Sequence, residues 1–446
     1  MFQPLRNRTY RHLFFAQVIA LLGTGLLTVA LGLLAHDLAG DNAGLVLGTA
    51  LAIKMIAYIG IAPVVGGFAN LLPRRAFLIG LEVVRGGIAL LLPFVDQIWQ
   101  IYILIFLLQS ASAAFTPTFQ ATIPDILPDE KEYTAALSLS RLAYDLESLL
   151  SPALAAALLT VMSFHWLFAG TSVGFLVAAL FVMSVAIPVG AVTAKQGGIW
   201  DRVSRGIRNY LATPRLRGLL LLNFAAAAGG AMVIVNTVVY VRSVLDGREA
   251  DVAIALAAFG AGSMIIALLM PTLLTRLADR TVMLIGAAGI ALVLLTFAAQ
   301  SVYGPAAWAF FLTTWFVLGG CYSAILTPSG RLLKRSSVED TRPALFAAQF
   351  ALSHVCWLVT YPLAGWLGAS ATWAMAFGVL GCVAGVAVVA AAVAWPRNDP
   401  ETIAHVHTNL RSDDPHLIGA EETSTGFRHS HRYVIDERHR QWPRKD

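Results

Sequence analysis

Six of the chain's ten histidines fall between His405 and His439, in two similar blocks. The first is His405-Val406-His407 followed by Asp413-Asp414-Pro415-His416; the second is His429-Ser430-His431 followed by Asp436-Glu437-Arg438-His439. Each holds a His-x-His pair, an acidic pair and a further histidine. Imidazole nitrogens with carboxylate oxygens suit Zn, Ni or Co. His405, His407, His416, His429, His431 and His439 are therefore candidate ligands of a divalent metal. Arg428, Arg432, Arg438 and Arg440 sit among the second block and would repel a dication. The competing reading is a solvated polar extension that carries its histidines by composition alone.

A second set of candidates lies inside long apolar runs, where each charge costs roughly 2.5–3.5 kcal/mol and has to be offset by pairing or use. Glu82 and Arg85 are three apart on one helix face and read as a structural ion pair near the end of their run. Arg141 and Asp145 are four apart and can neutralise each other. Glu147 lies about 200° round the helix from Asp145, so one arginine cannot serve both carboxylates. One of the two needs another partner, a water-filled cavity or a proton. Asp145 or Glu147 is thus the candidate proton carrier, and a structural pairing with Lys54 is the plainer alternative. His354, beside Ser353 and Cys356, is the other candidate for proton chemistry; a hydrogen-bonded core histidine is its plainer reading. Asn223, Asn236, Gln349, Trp357 and Tyr361 could line a cavity or simply join helices.

The elements that must position these groups are apolar. The chain of 446 residues is 57% hydrophobic and 13% charged, with a mean hydropathy of +0.71, which no soluble domain could cover. Spans of the length a hydrocarbon core demands are expected near 13–35, 45–69, 76–95, 98–122, 134–161 and 165–188, and again near 217–241, 250–275, 281–300, 305–328, 343–368 and 371–395. That divides the chain into an N-terminal bundle (1–190), a basic linker (191–216), a C-terminal bundle (217–396) and the histidine-bearing tail (397–446). The fold class expected is an all-α membrane protein of twelve transmembrane helices in two six-helix bundles.

Basic residues fill every second gap. Arg6, Arg8 and Arg11 precede the first span, Arg74 and Arg75 follow the second, and Arg331, Lys334, Arg335 and Arg342 follow the tenth; the opposite turns carry Asp37, Asp41, Asp96, Asp246, Glu249 and Asp251, with Arg242 and Arg248 their only basic residues. Short basic loops stay in the cytoplasm during insertion, so both termini, linker and tail are expected there. The net charge of +5 is then an insertion signal, and no nucleic-acid partner follows from it. Cys321, Cys356 and Cys382 share no short spacing and read as small buried hydrophobes. The chain has neither a Gly-x-x-x-x-Gly-Lys-[Ser/Thr] phosphate loop nor a His-Glu-x-x-His helix, so ATP-driven and zinc-hydrolase chemistry are not expected and no catalytic residue is assigned.

The loop after the second span, Pro63-Val64-Val65-Gly66-Gly67-Phe68-Ala69-Asn70-Leu71-Leu72-Pro73-Arg74-Arg75, returns in degenerate form after the eighth as Pro271-Thr272-Leu273-Leu274-Thr275-Arg276-Leu277-Ala278-Asp279-Arg280. Here the chain resembles the major facilitator superfamily over roughly residues 5 to 395. That resemblance implies a conformational lock at Gly67, Asn70, Arg74, Arg75, Asp279 and Arg280. Asn70 and Leu71 stand where the family has Asp-Arg, so the lock's first carboxylate is missing. Gln109-Ser110, Pro117, Ile123-Pro124-Asp125-Ile126-Leu127-Pro128-Asp129-Glu130, Ala135-Ala136-Leu137-Ser138 and Ser151-Pro152-Ala153-Leu154 look like the drug:proton antiporter branch, which includes siderophore and macrolide exporters. Phe106 occupies the place of that branch's usual coupling arginine, which therefore does not carry over. The tail is similar to the histidine-bearing tails of nickel and cobalt resistance permeases in the same branch.

The resemblance implies a secondary transporter that exports a small solute by alternating access, with protons as the coupling ion, the bilayer as its setting and a monomer as its state. The solute would be an organic compound (drug, siderophore or metabolite) or a divalent metal such as Ni or Co. No cofactor is expected beyond a divalent metal on the tail. The reading from a different class is a membrane metal sensor that uses its tail without flux.

Overall fold

The computed structural model describes residues 2–39, 43–68, 72–188, 199–400, 402–407, 414–417, 419–424, 426–436, 438–439 and 441–443. A first bundle comprises α1 (Arg8–Ala39), α2 (Ala43–Phe68), α3 (Arg74–Leu91), α4 (Ile98–Ile126), α5 (Glu130–Leu159) and α6 (His165–Met183). After α7 (Ile199–Ala212) come α8 (Pro214–Ser243), α9 (Glu249–Arg276), α10 (Asp279–Ser301), α11 (Trp308–Leu326), the short α12 (Ser329–Arg335), α13 (Arg342–Ser370) and α14 (Trp373–Ala394). Among the described residues twelve spans are long and apolar enough to cross a membrane, α11 and α12 forming one of them, Trp308–Arg335. Helices are what such sequences must form, because lipid offers no hydrogen-bond partner and the backbone has to satisfy itself. Pro63, Pro117, Pro124, Pro271 and Pro362 sit inside these helices.

Within the bundles α1 packs on α5 and α6, α2 on α4, α8 on α13 and α14, and α9 on α11; α2 meets α13 and α5 meets α9 across the divide. Small residues set the closest approach. A Cβ on Gly262 of α9 would lie 1.9 Å from the Phe316 carbonyl oxygen, and one on Gly319 of α11 would lie 1.8 Å from that of Phe259. Only glycine permits this spacing, the means by which helices gain packing energy in lipid. An aromatic core of Tyr240, Phe297, Phe311, Trp315 and Phe377 fills the second bundle.

The described part of the linker is helical. Its residues 199–212 form the amphipathic α7, braced by ion pairs from Asp201 to Arg205 (2.8 Å) and to Arg208, and α8 begins at Pro214 rather than 217. α7 lies against α2 and α13, at the same end of the bundles as α12 and the tail. We call this end the basic face.

The tail departs from an all-α architecture. β1 (Thr402–His407), β2 (Glu421–Thr423) and β3 (Gly426–Arg432) form an antiparallel sheet in the order β1-β3-β2. His405 stands opposite His429 in the register. The His-x-His repeat is the period of a strand, which puts both histidines of each pair on one face. The sheet is docked, with Arg432 donating to the Lys334 carbonyl at 2.7 Å and Asn209 to that of Ile435 at 3.2 Å. Arg215 and Arg335 both pair with Asp399 at 3.3 Å.

Candidate functional site

Midway along the helices, polar groups from both bundles converge. On α5, Arg141 donates to Asp145 at 2.5 Å, as the spacing of four predicts. Both continue across the divide: Ser263 of α9 donates to Asp145 at 2.7 Å and Arg141 Nε donates to Ser263 at 3.1 Å. The Arg141 guanidinium lies 4.9 Å from the Tyr322 ring centre on α11. Glu147 is turned away from this knot. A Cβ on Gly25 of α1 would be 2.8 Å from its Oε1, and Lys54 of α2 is the cation that acts on it. Among the described residues no hydrogen bond or ion pair holds Glu147.

Lys54 lies 5.4 Å from the ring centre of Tyr58, whose hydroxyl donates to Gln109 at 3.0 Å. His354 of α13 meets the Tyr58 ring edge-on at 4.7 Å and donates from Nδ1 to its own helix at the Phe350 carbonyl, 2.6 Å away. Trp357 and Tyr361 continue this aromatic wall, 4.9 Å apart. Gln349 accepts from Tyr210 at 2.5 Å and Asn236 donates to the Ala364 carbonyl at 3.0 Å, so these two join helices, while Asn223 donates within its own helix to the Leu219 carbonyl at 2.9 Å. Sequence reasoning passed over Tyr58, Ser263 and Tyr322, whose types in an apolar helix carry no distinguishing pattern, and quoted Gln109 only as part of a family motif.

A second constellation closes the basic face. Asp125, at the end of α4, accepts from Arg74 of α3 at 2.5 Å and from Arg342 of α13 in the other bundle. Arg331 of α12 donates to Asp279 of α10 at 2.9 Å, to Glu130 of α5, and to Thr134 of α5 at 2.6 Å. Lys334 adds a bond to the Pro128 carbonyl at 2.7 Å. Gly66 of α2 is pressed on α13, where a Cβ would come 2.4 Å from that of Ala347. The hydrogen bonds and ion pairs that join the bundles among the described residues lie at this face or at the midplane, so the basic face is the shut end.

The lock residues expected from the repeated loop are thus only partly its chemistry. Arg74 and Asp279 take part, Arg75 bonds the Met183 carbonyl, and Arg280 holds the Ala392 and Trp395 carbonyls at 2.9 Å each. Gly67 is in the last turn of α2, and Asn70 lies outside the described residues. The carboxylate that pairs with Arg74 is Asp125, outside the repeated loop. The Glu82–Arg85 pair sits in the middle of α3, not near an end as expected. Arg85 reaches both carboxylate oxygens at 3.1 Å and stacks 4.0 Å from the Phe175 ring centre on α6.

In the tail, ligand atoms of His405, His407, His416, His429 and His431 all lie within 4.8 Å of one another. His439 joins them, its Nε2 3.1 Å from that of His405 and 3.3 Å from that of His416. Burial, then neighbouring imidazoles, pushes His407, His416 and His429 down to about 4. These rings are therefore neutral at neutral pH. Of the acidic pairs, Asp413 and Glu437 lie outside the described residues, and the other two carboxylates bond the backbone. Asp414 accepts from the His416 amide, and Asp436 from the amides of Arg438 and His439, each at 2.8 Å. They shape the turns that present His416 and His439.

A profile of transmembrane secretion effectors matches residues 1–330. The chain belongs to that family of the major facilitator superfamily. Macrolide efflux protein A of Streptococcus pyogenes is 24% identical over 177 residues, covering 39% of the chain and 43% of that protein. The protein of the same name in Enterococcus faecalis is 24% identical over 152 residues, 32% of the chain and 47% of that protein. The chain thus spans less than half the length of these curated relatives. The human organic anion transporter MFSD10 shares the fold with a TM-score of 0.72 at 13% identity, over 87% of this chain and 100% of that one. The transporter FucP in an outward conformation does so at 0.66 and 15%, over 87% and 98%, and a bacterial homologue of the iron transporter ferroportin at 0.66 and 15%, over 86% and 98%. Family and fold are those of multi-pass membrane transporters, not of enzymes.

Proposed function

We propose that this transporter exports an organic solute from a bacterial cytoplasm, driven by inward proton flow, with its basic face and both termini in the cytoplasm. The observation that carries the reading is the division of labour between two carboxylates on α5. Asp145 is bound to Arg141 and, across the divide, to Ser263, while Glu147 has no bonded partner among the described residues and faces Lys54. A carboxylate without a fixed bond is the one a proton can enter and leave, so Glu147 is the proton carrier and Asp145 the latch between bundles.

The aromatic wall of Tyr58, Phe350, His354, Trp357 and Tyr361 supports an organic cargo, since flat rings bind apolar faces while Gln109 and the charged groups orient polar ones. The macrolide exporters among its relatives point the same way. Metal as cargo is less well supported. Among the described residues, the only group of three or more His, Cys, Asp or Glu side chains able to hold an ion is in the tail.

The test is flux in reconstituted vesicles carrying an imposed pH gradient, with a macrolide as first probe. Wild type should move the solute against its gradient, and Glu147→Gln should abolish gradient-driven flux while solute binding persists. Full flux in Glu147→Gln would remove it as carrier. Metal binding with no flux of any solute would favour a sensor. A reporter enzyme active only outside the membrane, fused after Trp395, should be silent.

A further inference from the structure

The six tail imidazoles are arranged as the vertices of an octahedron. Every pair of rings has its centres 4.7–5.0 Å apart, except three pairs. Those three, His405 with His416, His407 with His431 and His429 with His439, have no histidine in common. Each histidine therefore has one opposite and adjoins all the others, which is the pattern of octahedral vertices and of no four-cornered figure.

The nitrogens agree with the rings. Nε2 atoms of adjacent histidines stand 3.0 Å apart for His405 and His407, 3.1 Å for His405 and His439, and 3.3 Å for His416 and His439. Six nitrogens about 2.1 Å from a common ion would have octahedral edges of about 3.0 Å. Three of the six Nδ1 atoms are committed elsewhere: His405 donates to the Ile403 carbonyl at 3.0 Å, His431 to the Arg432 carbonyl at 2.6 Å and His439 to Asp436 at 3.0 Å. With Nδ1 carrying the proton, Nε2 presents a lone pair. The Nε2 lone pairs of His405 and His439 then face each other at 3.1 Å, an arrangement that repels unless a cation lies between them. The Nε2 atoms of His429 and His431 are buried with no hydrogen-bond partner among the described residues.

The donor set also selects the ion. Six neutral nitrogens and, among the described residues, no carboxylate in the cluster do not suit Ca or Mg. Six positions exceed the four that structural Zn takes, and no thiolate is present to favour Cu(I). Two of the nearby arginines are engaged: Arg438 is paired with Asp414 at 3.3 Å and Arg432 donates to the Lys334 carbonyl.

We propose that His405, His407, His416, His429, His431 and His439 bind one divalent first-row transition ion, of the Ni(II) or Co(II) kind, in an octahedral all-imidazole site separate from the transport path. Asp436, on Nδ1 of His439, is its positioning residue.

The test uses the full chain, without a polyhistidine tag, in nanodiscs after chelation. Titration with Ni²⁺ should saturate at one ion per chain, and Co²⁺ should give the weak visible absorption of six-coordination. The double variant His405→Ala/His416→Ala removes one opposite pair and should weaken Ni²⁺ binding at least about 100-fold. Asp436→Asn keeps all six rings and should weaken it about 10–100-fold. The site is overturned if no ion saturates at one per chain, if Co²⁺ gives the intense bands of four-coordination, or if the double variant and Asp436→Asn both bind like wild type.

Discussion

Asp125 and Arg331 occupy equivalent places in the two halves and carry opposite charge. Asp125 closes α4 and Arg331 lies on α12, which continues α11, the matching fourth span of the second half. Asp125 is gripped by Arg74 at the start of α3 and by Arg342 at the start of α13; Arg331 is gripped by Asp279 at the start of α10 and by Glu130 at the start of α5. The same three positions recur in each half with every sign reversed.

That inversion makes the shut end depend on both central charges. Asp125→Asn removes the carboxylate that Arg74 and Arg342 share and leaves Glu339 as the acidic group acting on Arg74, a loss of about 3–5 kcal/mol for a buried pair. The expected outcome is a shift toward opening at the basic face. It would be read as faster labelling, from that side, of a cysteine placed at Ser140 in a background lacking Cys321, Cys356 and Cys382. Unchanged labelling would show that the gate does not rest on Asp125.

The midplane latch predicts coupling between bundles. Ser263→Ala removes one bond to Asp145 and should cost about 0.5–1.5 kcal/mol of thermal stability. In Asp145→Asn the same change should cost less, because the two residues share the bond. A double-mutant cycle in nanodiscs measures the difference, expected to be at least about 0.5 kcal/mol. Strict additivity would mean that the two side chains do not interact in the membrane.

Acid should loosen the tail. His407, His416 and His429 are held down to about 4 by burial and by one another, against about 6.5 in an unfolded chain. Between these values the unfolded tail binds more protons than the folded one, so stability falls as pH drops from about 6.5 to about 4 and levels off below. In chelated protein, amide exchange of residues 426–432 should accelerate across that window. A flat profile would contradict the shifts.

The twelve spans were legible because lipid leaves an apolar run of twenty residues one way to fold, and the Arg141–Asp145 pair because spacing on a helix fixes who can meet. The gate was legible only in part. Asn70 broke the expected pattern, and the carboxylate that pairs with Arg74, Asp125, is distant in sequence from Arg74 and Arg342, so nothing local marks it. Ser263 was invisible for the same reason, a lone hydroxyl in an apolar helix whose role exists only once α9 faces α5. In the tail the His-x-His spacing was read as ligand spacing but not as strand period. Asp414 and Asp436 read as possible ligands because composition cannot distinguish a coordinating carboxylate from one that caps a turn.

The reversed signs of the two gate triads bear on assembly. Two copies of the first half would bring Arg342-like cations to neither copy, since that arginine exists only in the second, and would set Glu130 beside a like-charged Asp125 partner. Two copies of the second half would likewise oppose arginine to arginine. Only unlike halves complete both triads. Were the chain severed within its linker and the pieces made separately, they should recombine as heterologous pairs and reject self-association, a sorting rule written in six side chains.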